Sequence, residues 1–235
     1  MAESTTHSQV RAELPAHSVL AAVFQVRDDE LQVLLWERAR EPFRDAWSLP
    51  GGTLDAGETL EASIRRHLET KVDIAEVAHL EQLGTWSDPV RHPDRWELAT
   101  AYLGLVPLGI DPDVPSDTRW HRVEALPATA FDHGAIALAG RERLRGKLSY
   151  SNIGFALAPP SFTLTELRDI YAAALGHDVS ATNLKRVLLR RGVLEPTGER
   201  RAHGPAGGRP AEVFRFRSSR LEVTDPFAVL RPPTT

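Results

Sequence analysis

A tight glycine turn followed by an amphipathic helix is the feature that most constrains the fold of this chain. The turn lies at residues 47–52 (WSLPGG), whose proline and two glycines favour a reversal of the backbone. Leu60, Ile64 and Leu68 then recur every four residues, with Ala62 and charged residues between them. This spacing predicts a helix over residues 58–72 whose apolar stripe must be buried against another element.

Strand-like runs lie on both sides of this helix. Residues 18–26 (SVLAAVFQV) and 31–37 (LQVLLWE) are rich in Val and Leu and are separated by polar residues, so they predict a hairpin. Further strands are predicted at residues 77–86, 97–106 and 118–123. The first part of the chain is therefore predicted to be a β-rich domain with one marked helix.

Three residues around the turn and the helix fit a known motif. Gly52, Glu58 and Arg66 match the opening of the pattern G-x5-E-x7-R-E-U-x-E-E-x-G-U, in which U is a bulky aliphatic residue. The match resembles the Nudix hydrolase family, and the W-x-L-P-G-G lead at residues 47–52 is typical of the same family. The resemblance implies a Nudix-like α/β/α sandwich with a mixed sheet for the N-terminal domain.

The second half of the motif departs from the family at the positions that hold the metal. Catalytic members read R-E-U-x-E-E-x-G, whereas this chain has His67, Thr70 and Lys71 in place of the three glutamates. Nudix chemistry needs clustered carboxylates for Mg²⁺ or Mn²⁺. A threonine brings no charge, a neutral histidine is a poor magnesium ligand, and an ammonium repels the cation. We therefore expect no catalytic residues and no metal site; the alternative is an enzyme that uses relocated carboxylates.

A domain without catalysis can still bind a nucleotide, because arginine forks suit a diphosphate and a Trp face can stack on adenine. Residues 86–97 (WSDPVRHPDRWE) resemble the D-P-x-R-x-P-R segment of ADP-ribose-type Nudix proteins, with an Asp inserted before Arg95. The alternative is that Arg91 and Arg95 only pair with carboxylates on a surface loop. The predicted effector-binding residues are Arg38, Arg44, Trp47, Glu58, Asp88, Arg91 and Arg95.

Two successive helices are predicted after the double proline at residues 159–160. Thr163 and Glu166 match a capping box, which predicts the start of the first helix. A glycine ends that helix, and Ser180 is suited to cap a second one over residues 181–191. The result is a helix, a short turn and a second helix.

Strand-like residues then complete the pattern of a winged helix. Residues 193–196 and 213–217 flank a Gly- and Arg-rich tip at 198–209, which predicts a β-wing. Apolar residues share one face of the second helix, and the opposite face can read base edges in the major groove. The alternative is a merely solvated basic face. The predicted DNA-binding residues are Thr182, Asn183, Lys185, Arg186, Arg190, Arg191, Arg200, Arg201 and Arg209.

The formal net charge of -4 hides opposite charges in the two parts of the chain. Residues 1–159 carry 16 Lys/Arg and 24 Asp/Glu, whereas residues 160–235 carry 12 and 8. Residues 180–220 alone hold 10 basic and 3 acidic side chains. This local excess favours a polyanion as the partner of the C-terminal part.

Other compositional features exclude several classes of protein. Cysteine is absent, which excludes a disulfide scaffold, a thiol nucleophile and a cysteine zinc site. The chain has no run of about eighteen apolar residues and no signal-peptide pattern at its N-terminus. We therefore expect a cytoplasmic protein without membrane contact.

Together these features predict an α+β chain of two domains. We expect an N-terminal tail at 1–17, a Nudix-like effector-sensing domain at 18–130, a linker helix region at 131–160, a C-terminal winged helix-turn-helix DNA-binding domain at 161–225 and a tail at 226–235. This combination resembles the Nudix-related transcriptional regulators called NrtR.

The resemblance implies a bacterial transcriptional repressor of NAD biosynthesis or salvage genes. Such a protein works as a homodimer on a palindromic operator in double-stranded DNA. Its effector would be ADP-ribose or another NAD-derived nucleotide, and no cofactor would be required. The alternatives are an active Nudix ADP-ribose pyrophosphatase and a bifunctional protein that both regulates and hydrolyses.

Overall fold

The computed structural model describes residues 14–74, 76–202 and 210–225. No helix within these ranges is long and apolar enough to cross a membrane. In chain order the elements are β1 (Ala16–Arg27), β2 (Glu30–Glu37), β3 (Trp47–Ser48), β4 (Gly51–Thr53), α1 (Leu60–Val72), β5 (His79–Trp86), β6 (Glu97–Leu105), β7 (Thr118–Arg122), α2 (His133–Tyr150), β8 (Phe162–Thr163), α3 (Leu164–Leu175), α4 (Ala181–Arg190), β9 (Leu194–Arg201) and β10 (Ala211–Phe216). Short 3₁₀ turns lie at Val123–Ala125 and Ile153–Ala156.

The N-terminal half forms one mixed sheet. Its main path runs β3-β2-β1-β6-β5, with β4 paired to β1 and β7 paired to β2. β1 and β6 are parallel, from Ala16 opposite Glu97 to Phe24 opposite Leu105, and the other pairs are antiparallel. The predicted hairpin of the first two strands and the predicted mixed sheet are confirmed.

β1 is buried on both faces because its residues alternate between two cores. The odd-numbered residues from Val19 to Val23 pack in one core with Leu68 of α1. The even-numbered residues from Leu20 to Phe24 pack in the other core with α2. The sheet therefore carries a helix on each face, which confirms the α/β/α sandwich.

α1 begins two residues later than predicted because Thr59 caps it. The hydroxyl of Thr59 accepts a hydrogen bond from the N–H of Ala62 at 3.1 Å. Glu58 instead accepts two hydrogen bonds from Arg66, at 2.6 and 2.7 Å. The helix ends at Asp73, whose φ of 51° is left-handed at the position where the motif has glycine.

The C-terminal part contains the predicted helix-turn-helix and a small sheet. Thr163 and Glu166 form the capping box with both hydrogen bonds present. α3 ends at Gly176 in the left-handed conformation, and the hydroxyl of Ser180 caps α4. The sheet order is β8-β10-β9, and β9 continues to Arg201, which is longer than predicted. These elements confirm the winged helix.

A continuous apolar core joins the two parts of the chain. It extends from the sheet through Ile136 and Leu144 of α2 and through Phe155 to Leu167 and Leu188 of the winged helix. The segment predicted as a linker is thus a helix packed on the sheet and a buried 3₁₀ turn. A shared apolar core of this kind packs the two parts against each other; the division into residue ranges stays a prediction.

Candidate functional site

A cavity of about 630 Å³ opens between the glycine turn, the strand ends and the start of α2. This volume lies in the range of pockets that bury small ligands, about 300–1,000 Å³. The walls come from residues 18–20, 36–41, 49–53, 92–97 and 131–133, with Lys71 contributed by α1. The glycine turn and helix that constrain the fold therefore also shape the cavity.

The cavity carries an excess of positive charge. Four cations and two carboxylates line it, namely Arg38, Arg40, Lys71 and Arg95 against Glu41 and Glu97. Four positive and two negative charges leave a net charge of +2. A diphosphate diester, with about two negative charges, would neutralise this excess, and guanidinium groups bind such oxygens bidentately.

Aromatic side chains lie beside these cations. The guanidinium carbon of Arg38 is 4.8 Å from the ring centroid of Phe131, and the ring of His92 stacks on Phe131 at 5.1 Å. The ring of Trp36 lies 5.1 Å from Nζ of Lys71. The cavity thus combines aromatic surface for a planar base with cations for an anion.

His133 is a neutral hydrogen-bond donor on the cavity wall. Burial lowers its pKa to about 3, although the nearby carboxylate of Asp132 acts in the opposite direction. The N–H of Leu49 donates to Nδ1 of His133 at 3.1 Å, so the proton of the neutral ring is on Nε2. A ligand that reaches His133 therefore meets an N–H donor at the first residue of α2.

We expect His133 to make the fold sensitive to acid. Its pKa falls from 6.5 to about 3 in the fold, so the unfolded chain takes up the proton first. This contribution is fully present above about pH 6.5 and is lost as the pH falls toward 3. Between about pH 7.5 and pH 5 the free energy of unfolding should decrease by about 2 kcal/mol from this residue alone.

Urea denaturation at both pH values tests this expectation against His133→Asn. Asparagine keeps an acceptor for the N–H of Leu49 but cannot be protonated. Its loss of stability on acidification should therefore be about 2 kcal/mol smaller than that of the wild type. Equal losses in the two proteins would contradict a buried neutral His133.

The three degenerate motif positions each bond to the backbone. Nε2 of His67 donates to the carbonyl of Thr53 at 3.1 Å, and burial lowers the pKa of this ring. Oγ1 of Thr70 donates to a carbonyl of its own helix at 2.7 Å. Nζ of Lys71 donates to the carbonyl of Gly51 at 2.7 Å. These positions therefore present donors where catalytic members present carboxylates.

The retained motif carboxylate is also engaged. Arg66 forms a bidentate pair with Glu58, and these hydrogen bonds lower the pKa of Glu58 to about 2. Arg66 also lies 2.9 Å from a carboxylate oxygen of Asp55. Among the described residues no group of three His, Asp or Glu side chains is placed to hold a metal ion. The residues present do not fit the Mg²⁺ that catalytic Nudix domains use.

Two of the predicted effector residues, Arg38 and Arg95, line the cavity. Arg91 does not, because its side chain is only 2% exposed and is held by carboxylates. It donates to both carboxylate oxygens of Asp132, at 2.7 and 3.0 Å, and to Glu97 at 3.4 Å. Arg91 therefore joins the loop before β6 to the start of α2. This agrees with the alternative that Arg91 only pairs with carboxylates, although its main partner, Asp132, lies outside that loop.

The other four predicted effector residues are absent from the cavity lining, and the local partners of each explain why. Asp88 accepts from the N–H of Val90 in an exposed turn, Glu58 pairs with Arg66, exposed Arg44 lies 3.7 Å from Glu41, and Trp47 packs against the ring of His121 at 4.3 Å. The expectations for Arg44 and Trp47 rested on nearness to the motif in sequence, and those for Glu58 and Asp88 rested on motif resemblance. Asp88, Glu58 and Trp47 instead contact residues outside the lining, whereas Arg44 lies beside Glu41 of the lining.

Several cavity residues were missed from the sequence. Arg40 belongs to the same basic run as Arg38 and could have been found there. Lys71 was considered only as an obstacle to a metal. Phe131 and His133 come from the start of α2, and no local pattern connects that segment to the glycine turn. Only the fold brings these parts of the chain together.

The outer face of α4 is exposed. Leu184 and Leu188 are buried on the inner side of the helix, whereas Thr182, Asn183, Arg186 and Arg190 are exposed. Nη2 of Arg186 donates to Oδ1 of Asn183 at 2.7 Å. Because Arg and Asn are the side chains that read guanine and adenine edges, this face has the chemistry of a recognition helix.

The remaining predicted DNA contacts divide into tethered and exposed side chains. Lys185 pairs with Glu212 at 3.3 Å, Arg201 with Glu166 at 2.8 Å, and Arg191 donates to the carbonyl of Ser149 at 2.5 Å and pairs with Asp225 at 3.1 Å. Arg200 is exposed on β9. Arg209 lies outside the described residues. The ion pairs of Lys185 and Arg201 connect α4 to β10 and β9 to α3.

The fold and the two sites define a class of protein: a Nudix domain with a cationic cavity, joined through α2 to a winged helix with a basic outer face. Comparisons with family models agree with this division. The NUDIX domain model matches residues 16–139, and the model of the NrtR DNA-binding winged helix domain matches residues 154–216. The chain belongs to the NrtR family.

One relative and one solved structure match this chain over more than four fifths of its length. The chain is 33% identical to the ADPR responsive transcriptional repressor NtrR of Acinetobacter baylyi, over 86% of this chain and 82% of that protein. It superimposes on Shewanella oneidensis NrtR complexed with a 27mer DNA with a TM-score of 0.72 and 31% identity, covering 85% of this chain and 93% of the other. The NUDIX domain of the Shewanella protein complexed with ADP ribose gives a TM-score of 0.50 and 32% identity, covering 56% and 90%.

Proposed function

We propose that this protein is a DNA-binding transcriptional repressor of NAD biosynthesis or salvage genes that senses ADP-ribose or a related NAD-derived nucleotide. The observation that carries the proposal is the path of α2. The helix begins at the cavity with His133 and ends beside the recognition helix α4. A chromosomal target implies that the protein acts in the cytoplasm.

The cavity has the chemistry of a nucleoside diphosphate site. Its net charge of +2 matches a diphosphate, and Trp36 and Phe131 offer apolar surface to a base. The relative from Acinetobacter baylyi is named for its response to ADPR, and the Shewanella NUDIX domain is complexed with ADP ribose. These two relatives support ADP-ribose as the first effector to test, and we expect that no cofactor is required.

α2 provides the physical connection between effector and DNA. Its 18 residues extend over about 27 Å, from the cavity wall to the winged helix. Near its end, the carbonyl of Ser149 accepts a hydrogen bond from Arg191, the residue that caps α4. A ligand that binds one position of α2 more tightly than another therefore changes the population of DNA-binding geometries.

The winged helix of each protomer would recognise one half of the operator. In a homodimer, two copies of α4 would enter successive major grooves about one helical turn apart, so the operator should be palindromic. The exposed cations Arg186, Arg190 and Arg200 would contact bases and phosphates. The acidic N-terminal part disfavours DNA lying against the sensor domain.

We further propose that the Nudix domain does not hydrolyse its ligand. The donors at His67, Thr70 and Lys71 and the paired Glu58 leave no carboxylate cluster for Mg²⁺ among the residues that the structure describes. A hydrolase or a bifunctional protein would need such a cluster or a replacement for it. No contact at this site favours either alternative.

Fluorescence anisotropy with labelled duplexes from upstream of the NAD genes in the source genome tests the proposal. Specific binding that weakens steeply with salt and changes when ADP-ribose is titrated in would support it. Release of AMP from ADP-ribose with Mg²⁺ or Mn²⁺, measured in parallel, would establish the hydrolase or the bifunctional alternative. Binding that is indifferent to both DNA sequence and ADP-ribose would overturn the repressor.

A further inference from the structure

Lys71 is a half-buried cation that faces the cavity among other cations. Nζ donates to the carbonyl of Gly51 at 2.7 Å and lies 5.1 Å from the ring centroid of Trp36. Burial lowers the pKa of Lys71, and the charges that lower it further belong to Arg66, Arg38 and Arg40. An ammonium has three N–H donors. The carbonyl occupies one of them and the ring faces another, so donor capacity remains for a ligand.

The glycine turn packs directly against this ammonium. A Cβ placed on Gly52 would lie 2.9 Å from Nζ of Lys71 and 2.6 Å from Cε1 of His67. Both distances are shorter than nonbonded contacts allow, so Gly52 must be glycine for these two side chains to stay where they are. The turn and the helix thus fix the position of the ammonium.

Such an arrangement is unfavourable without an anion. Burying a cation costs free energy unless it is paired, and Arg66, Arg38 and Arg40 act on this one by repulsion. Lys71 occupies a motif position at which catalytic Nudix domains have a metal-binding glutamate. An anion in the cavity would therefore meet the ammonium of Lys71 where catalytic Nudix domains place a divalent cation.

We propose that the ammonium of Lys71 replaces the divalent cation as the counterion of the diphosphate, so that this site binds a nucleoside diphosphate without any metal. This inference rests on the proposed function of the cavity. Arg38, Arg40 and Arg95 supply the other positive charges, and Lys71 is the cation held by the remodelled motif itself. The change from glutamate to lysine thus converts a metal-dependent catalytic site into a metal-independent receptor site.

Isothermal titration calorimetry of the full chain tests this idea with ADP-ribose, inorganic pyrophosphate and adenosine, each in EDTA and in Mg²⁺. The wild type should bind ADP-ribose with the same affinity, within about twofold, in both conditions. Lys71→Met keeps the aliphatic stem but removes the charge-assisted hydrogen bond. Its affinity for ADP-ribose and pyrophosphate should fall about 10- to 100-fold.

Two controls separate the role of Lys71 from general effects. Adenosine lacks the diphosphate, so its affinity should be equal in the wild type and in Lys71→Met, which also shows that the variant is folded. Arg65→Met removes an exposed cation from the same helix, outside the cavity, and should leave ADP-ribose affinity unchanged. Lys71→Arg restores the charge and should recover most of the lost affinity.

The outcomes distinguish the two proposals. Wild-type binding of ADP-ribose that requires Mg²⁺, or equal affinity of the wild type and Lys71→Met for ADP-ribose, would overturn the role of Lys71 and leave the sensor intact. Pyrophosphate binding that depends on Lys71, without binding of ADP-ribose, would support the ammonium as counterion and overturn the proposed effector. Failure of the wild type to bind either compound would overturn both.

Discussion

Replacing Arg91 by alanine is expected to lower the free energy of unfolding by about 3–5 kcal/mol, because removal of one partner from a buried ion pair leaves the other charge uncompensated. The Arg91 side chain is 2% exposed and makes three hydrogen bonds to the carboxylates of Asp132 and Glu97. Without it, the half-buried carboxylate of Asp132 and the nearly buried carboxylate of Glu97 lose the cation that they share. The fold should lose the attachment of the loop before β6 to the start of α2.

Urea denaturation followed by circular dichroism measures this loss, and Arg95→Ala is the matched control. Arg95 pairs with the same Glu97, but its side chain is 55% exposed. An exposed partner contributes little, so this control should cost less than about 1 kcal/mol. A similarly small loss of unfolding free energy in both variants would show that the ion pairs of Arg91 do not stabilise the fold. If Arg91→Ala instead lost affinity for ADP-ribose without losing stability, Arg91 would be an effector-binding residue after all.

The contrast between Arg91 and Arg95 shows what the sequence does not determine. Both arginines belong to one segment, and the segment has no periodicity that separates inward from outward positions. The partner that buries Arg91 is Asp132, 41 residues further along the chain. A motif identifies the segment, whereas long-range packing decides which arginine faces the cavity.

Elements with local signals were predicted well. The Val- and Leu-rich run of β1 and the four-residue spacing in α1 indicated a strand and a helix directly, because both signals are local to the element. Thr163 and Glu166 marked the start of α3 since the capping box uses only residues of that turn. The start of α1 was missed by two residues because Thr59, and not Glu58, makes the capping hydrogen bond.

The cavity was predicted only in part because its walls come from distant segments. His133 is held by Leu49, 84 residues away, and Phe131 meets Arg38 through the same packing. The chemistry at Lys71 was visible in the sequence as a lost glutamate. Its contact with the carbonyl of Gly51 became visible only when α1 was placed against the glycine turn.

The largest effect on DNA binding is expected when Arg186 and Arg190 are both changed to alanine. Each good bidentate contact to a base contributes about 1–3 kcal/mol, and a symmetric dimer would lose each contact twice. The affinity for the operator should therefore fall at least about 100-fold. Where an arginine contacts a phosphate, its loss should also weaken the salt dependence. The slope of log affinity against log salt concentration should fall by about one unit for each lost contact.

Anisotropy titrations over a range of salt concentrations measure both effects, and the control must remove two positive charges elsewhere. Arg65 and Arg119 are exposed on the N-terminal domain, so their double alanine variant should bind the operator nearly as the wild type does. Since Arg186 and Arg190 are also exposed, their double alanine variant should keep its stability and its ADP-ribose affinity. Operator affinity equal to that of the wild type would mean that α4 does not enter the groove. A loss of the same size in the control would mean that overall charge, and not the face of α4, governs binding.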